Sequence, residues 1–404
     1  MALMFLFQHP EWLNEEWLAT AAGIAITFVV FIMGVPALIF QTFIAGSLRD
    51  VYNERLGRGW SRLFIGQLVL IVLIFLMSNV GFDRYLSEQN SWWIFPAVVT
   101  VLLLLVLGLG LFSLINNFQS SRNIEQLLAQ KITDDAILQF EKHQTVPQKD
   151  LEDLGILARE LRSGRVKNNF LEQCERLVEY LLNVPQQHRD LNLIGDILAD
   201  AVCLSVTYDG AQFNHENMRK ALDILSFTYS HAQHHSVSDN SGSYLNTTIG
   251  NCMKEIGIQA MLKDDQPAVM DAVEKLSAIE STSKEMFILG NEALRQGHVQ
   301  PAVAVIRKLG GKVRSAVKPE TDIRDEDKRT FHFWLGLVAK IYRLDGSARQ
   351  FARRQLQTTV AQFDHAPDEL QAFYQEAQVH FYKMADFETA DAVQGLEARS
   401  PGGL

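Results

Sequence analysis

The chain has 404 residues, 48% of them hydrophobic and 21% charged, with a formal net charge of −10. That length suffices for two or three units of ordinary domain size, and the acidic balance leaves no basic footprint for nucleic acid. A mean hydropathy of +0.00 describes neither half, because the apolar residues crowd into the first third.

Uncharged stretches run from Trp17 to Leu48, from Leu63 to Phe82 and from Gln89 to Ser121. Crossing a bilayer core takes about 20 residues at about 1.5 Å each, so each stretch is long enough. A buried core helix is the rival reading, but three such stretches in near succession favour three transmembrane helices, at about 18–45, 63–82 and 92–116. A cleaved signal peptide would open with positive charge, whereas the residues before Trp17 hold Glu11, Glu15 and Glu16 and no Lys or Arg. The first loop carries Arg49, Arg55, Arg58 and Arg62, the second only Arg84, and Arg122 and Lys131 follow the third stretch. Basic residues mark the inner side, which predicts a multi-pass cell-membrane protein with its N-terminus outside and its C-terminal part cytosolic. Trp12, Trp17, Trp60, Trp92 and Trp93 fall where an interfacial belt belongs. No ionisable residue lies inside the stretches, which weighs against an ion-coupled transporter.

Beyond Asn116 the pattern becomes amphipathic, with apolar residues at three- and four-residue steps such as Leu171, Cys174, Leu177, Val178, Leu181 and Leu182. Breaks fall at Gly164, Val184-Pro185, Gly210, Ser236–Ser243, Pro319 and Pro367. No alternating strand stands out. The expected fold is therefore all-α: a three-span region at 1–120, a cytosolic helical region at 121–243 and a solenoid-like helical region at 244–404.

An internal repeat marks the last region. GlyIleGlnAlaMetLeuLysAsp begins at Gly257, with GlnProAlaVal ending at Val269; GlyAsnGluAlaLeuArgGlnGly begins at Gly290, 33 residues on, with GlnProAlaVal ending at Val303. A weaker copy runs from Ala377 to Ala390. In the second copy Gly290 is followed after seven residues by Gly297 and after five more by Ala302. This spacing, over about 244–396, resembles the tetratricopeptide repeat, with small residues where two antiparallel helices touch. The third copy keeps the five-residue step from Ala385 to Ala390, but its Ala377 stands eight residues before Ala385. The first copy has Asp264 where glycine is expected, and its Ala268 comes one residue early. The resemblance implies stacked helical hairpins that bind proteins or peptides, and it names no ligand.

No nucleotide-binding glycine loop, nucleophile elbow or HExxH motif is present. His231, His234 and His235 with Asp239 have a spacing that suits a metal, but the surrounding SerValSerAspAsnSerGly reads as a solvated loop. Cys174, Cys203 and Cys252 are an odd number, widely spaced, and read as small buried residues rather than a disulfide framework. The pairs Asp134-Asp135 and Asp264-Asp265 read as helix caps. Arg349, Arg353 and Arg354 read as a solvated face. No catalytic, cofactor-binding or metal-ligating residue is assigned, and an enzyme is not expected. The expected function is a membrane-anchored helical scaffold or adaptor recruiting a cytosolic protein. The alternative is an oligomeric channel gated by its cytosolic domain. The expected partners are membrane lipid and a protein or a second copy of the chain, with no nucleic acid and no cofactor.

Overall fold

The computed structural model describes residues 46–52, 54–55, 124–161, 164–185, 188–208, 214–235, 240–316, 324–361 and 367–397. Contacts divide the chain between Ile132 and Thr133. Before the division lies α1 (Gly46–Tyr52), and α2 (Ile124–His143) straddles it. The second unit continues with α3 (Gln148–Glu160), α4 (Gly164–Asn183) and α5 (Leu191–Ile197). A π-helical turn (Leu198–Cys203) then leads into α6 (Leu204–Thr207). There follow α7 (His215–His235), α8 (Asn240–Leu262), α9 (Gln266–Ala278), α10 (Ser283–Arg295) and α11 (Val299–Ala316). The last are α12 (Asp325–Tyr342), α13 (Ser347–Val360), α14 (Pro367–Lys383) and α15 (Phe387–Glu397). No strand occurs among the described residues, so the all-α expectation holds for them.

The transmembrane part of that expectation is corrected. No helix among the described residues is long and apolar enough to cross a membrane. Even α12, buried from Thr330 to Ile341, opens with Asp325, Glu326, Asp327, Lys328 and Arg329 and carries Lys340 near its end. Its apolar surface is covered by neighbouring helices. The stretches at about 18–45, 63–82 and 92–116 lie outside the described residues. The described residues therefore give no support to the three-span region or to the multi-pass cell-membrane location that rested on it.

From α5 onward the helices pack as hairpins, each against the next. One row runs α5–α6, α8, α10, α12, α14 and the other α7, α9, α11, α13, with α15 against α14 and α12. Many packed helices in this order are compatible with a helical repeat. The core lies between the rows, where Ile256, Ala260, Val269, Ala272, Leu289, Ala293, Ala302, Val305, Leu335 and Leu337 are buried. Each large apolar side chain buried in this way contributes roughly 1.5–3 kcal/mol.

Three of the hairpin turns share one backbone design. Asp264, Gly297 and Ala385 all have positive φ, at 56°, 80° and 59°. In each turn the next residue donates its N–H five residues back: Asp265 to Ala260 O, His298 to Ala293 O and Asp386 to Phe381 O, at 2.8–2.9 Å. This left-handed helix ending satisfies carbonyls that the last turn leaves open. Asp265 then caps α9 by accepting from the Ala268 N–H at 3.1 Å, and Asp386 caps α15 by accepting from the Thr389 N–H at 3.1 Å. In register with Gly297 and Ala302, the first copy places Asp264 and Val269 and the third Ala385 and Ala390, with Val269, Ala302 and Ala390 all buried.

Candidate protein-binding cleft

The first turns of α10 and α12 and the last turn of α14 surround a cleft of about 670 Å³. Three successive helices of one row thus contribute to a single groove. Its floor is built by packing. Ser283 Oγ and Thr330 Oγ1 are 2.8 Å apart, and Thr330 Oγ1 donates to Glu326 O at 3.0 Å. Beneath them Phe333 stacks on Phe287 with ring centroids at 5.1 Å, and Phe287 meets Phe381 at 5.3 Å. Aromatic contacts of this geometry stiffen the site beyond their buried area.

Its rim is charged. Lys284 and Arg329 lie beside Glu285, Asp325 and Glu326, yet none of these side chains forms an ion pair among the described residues. Charges of both signs therefore line the groove without an ion-pair partner among the described residues. Met384, 39% exposed, adds an apolar lip.

The wall carries His380, which packs on the buried His332 behind it. The His380 ring lies edge-on to Phe333 at 5.3 Å and 5.3 Å from the His332 ring. Burial, with His380 and Lys328 adding positive potential, lowers His332 to about 4, and burial likewise lowers His380, helped by Arg329 and Lys383. Both imidazoles are thus neutral near pH 7. Neither ring nitrogen of His332 nor Nε2 of His380 has a hydrogen-bond partner among the described residues, although Glu376 Oε2 stands 3.8 Å from His332 Nε2.

No family model, curated protein or solved structure matches the chain.

Residues singled out in the sequence are not assembled in this cleft. The His231 ring packs on Phe227 at 4.3 Å, and Asp239 and the side chains of His234 and His235 lie outside what is described. No group of three or more metal-ligating side chains occurs among the described residues. Arg349 is engaged locally, with Nε donating to Tyr342 O at 3.0 Å and the guanidinium over the Tyr342 ring, while Arg353 and Arg354 are exposed. Asp134 pairs with Arg176 at 2.9 Å. Lys284, Arg329, Phe333 and His380 escaped the sequence reading because no local motif joins them. The only signal was the charged run from Pro319 to Lys328, whose end supplies the α12 rim.

Proposed function

We propose that the unit from Thr133 onward is a scaffold of stacked, tetratricopeptide-like hairpins that holds a protein partner in the cleft of α10, α12 and α14. The observation that carries this reading is the cleft itself. One row of helices lends it an aromatic floor and a rim with charges of both signs. An extended segment of a partner satisfies such a surface with its backbone and with side chains of either charge, and a few anchoring contacts then dominate the affinity. The reading is of a binding protein and not of an enzyme. The gated-channel alternative gains no support from the described residues.

A displayed library of random peptides, selected on the purified full chain, tests it. Selected peptides should lose at least tenfold in affinity for Lys284→Glu/Arg329→Glu and keep it for Arg353→Glu/Arg354→Glu on α13. Peptides that bind both variants equally, or a selection that enriches nothing, would remove the reading.

A further inference from the structure

Cys203 and Cys252 are far apart in sequence but meet in space. The helix that begins as α5 passes through the π turn Leu198–Cys203, and α8 packs across it. Cys203 closes that turn and donates its S–H to the Cys252 carbonyl at 3.9 Å, while Cys252 donates to the carbonyl of Leu198, where the turn begins, at 3.9 Å. The two thiols thus lie close enough to influence each other's ionisation. Each sulfur therefore grips the other's helix at one end of the π turn. Such turns are rare and recur at functional sites.

We propose that Cys203 and Cys252 form a peroxide-oxidisable dithiol, whose disulfide staples the α5–α6 segment to α8. The sulfur of Cys203 attacks hydrogen peroxide: an S–O bond forms, the O–O bond breaks, and the first water leaves with the thiol proton. The sulfur of Cys252 then attacks the Cys203 sulfenic acid. The S–S bond forms as the S–O bond breaks, and the Cys252 proton departs with the second water. Two thiols lose two electrons in all, and one peroxide is reduced to two waters.

The roles follow from the asymmetry of the pair. Cys252 can donate to the Cys203 sulfur once that is a thiolate, which holds Cys203 below its usual range, whereas the same interaction and burial push Cys252 well above it. Cys203, the more exposed of the two and the residue that closes the π turn, is the thiol that meets the oxidant, and Cys252 resolves it. Both are nearly enclosed, at 7% and 4% exposure, so the reaction suits a small oxidant and proceeds at the rate of local opening. Cys174, wholly buried on α4 and pushed up by burial, serves as the internal control.

Native full-length protein is exposed to hydrogen peroxide, its remaining thiols are alkylated, and its peptides are mapped by mass spectrometry. The expected product is one intramolecular cross-link between the peptides of Cys203 and Cys252, reversed by dithiothreitol, with Cys174 alkylated throughout. Cys252→Ser should leave a sulfenic acid on Cys203 that dimedone traps, and Cys203→Ser should leave Cys252 unlabelled. Both thiols still alkylated after a dose that oxidises exposed methionines would overturn the proposal, as would cross-linking through Cys174. The wild-type map decides even where a variant fails to fold.

Discussion

Gly290 sits where α10 crosses its hairpin partner and the next hairpin at once. A Cβ there would lie 2.9 Å from Leu337 Cδ1 and 3.1 Å from Val305 Cγ1. Gly257 repeats the arrangement one hairpin earlier, 2.8 Å from Leu289 Cδ1 and 3.2 Å from Ala272 Cβ. Since Ala302 is also fully buried, Gly290→Leu and Ala302→Leu should each cost about 1–3 kcal/mol through overpacking. Arg295→Ala should leave the melting temperature nearly unchanged, because that side chain is exposed and only pairs locally with Glu292. Thermal melts of the three variants check this; silent small-to-large changes would mean that the helices do not touch there. His332 adds a pH dependence. Its value falls from the usual 6.5 to about 4 on folding, so between those limits the unfolded chain binds a proton that the folded chain refuses. Its contribution is therefore complete above pH 6.5 and is lost as pH falls toward about 4, by a total on the order of 3 kcal/mol. His332→Phe should flatten the melting profile across that window, and parallel profiles for wild type and variant would contradict the assignment.

At the scale of elements, the turns decide how far the repeat extends. A Cβ on Gly297 would meet nothing within 4 Å, so the requirement for glycine there is conformational alone, at φ +80°. Gly297→Ala should cost about 1 kcal/mol, while Ala385→Gly, which relieves a left-handed alanine, should stabilise by up to a similar amount. Calorimetric melts that move both variants in one direction would deny the shared turn. The sequence showed glycine at only one of the three turns, because Asp264 and Ala385 are held in the same conformation by the hydrogen bonds around them. Small residues at the crossings were legible for Gly257 and Gly290, 33 residues apart, and for Ala302, five residues after Gly297. The α12–α13 hairpin was not. The charged Pro319–Lys328 run breaks the period before it, and α12, buried on all sides from Thr330 to Ile341, lacks the one-sided apolar stripe that marks a helix pair. The cleft was illegible for a related reason. Its residues come from three helices spread from Ser283 to Met384, and only stacking brings them together.

For the unit as a whole, hairpins that touch only their neighbours make stability a sum of local terms and shared faces. The terminal pair α14–α15 covers α12 particularly closely. A Cβ on Gly336 would lie 2.5 Å from Phe381 Cζ and 2.6 Å from Thr389 Cγ2, and Phe331 meets Phe373 at 5.0 Å. Buried Lys340 is tied to the same region, with Nζ donating to Asn291 Oδ1 at 2.7 Å while the Asp386 and Glu388 carboxylates stand 3.8 and 3.6 Å away. Removing α14 and α15 therefore uncovers an apolar helix face and strips a buried ammonium of its carboxylates. Ending the chain after Ala361 should lower the melting temperature steeply and drive self-association, whereas Gly336→Ala in the intact chain should weaken the same contact by only about 1–3 kcal/mol. Circular dichroism melts with size-exclusion chromatography separate the two outcomes. A truncated chain that matches the full one in both oligomeric state and melt would show that α12 does not depend on the last hairpin, and the α14 wall on which the binding proposal stands would not be packed against it.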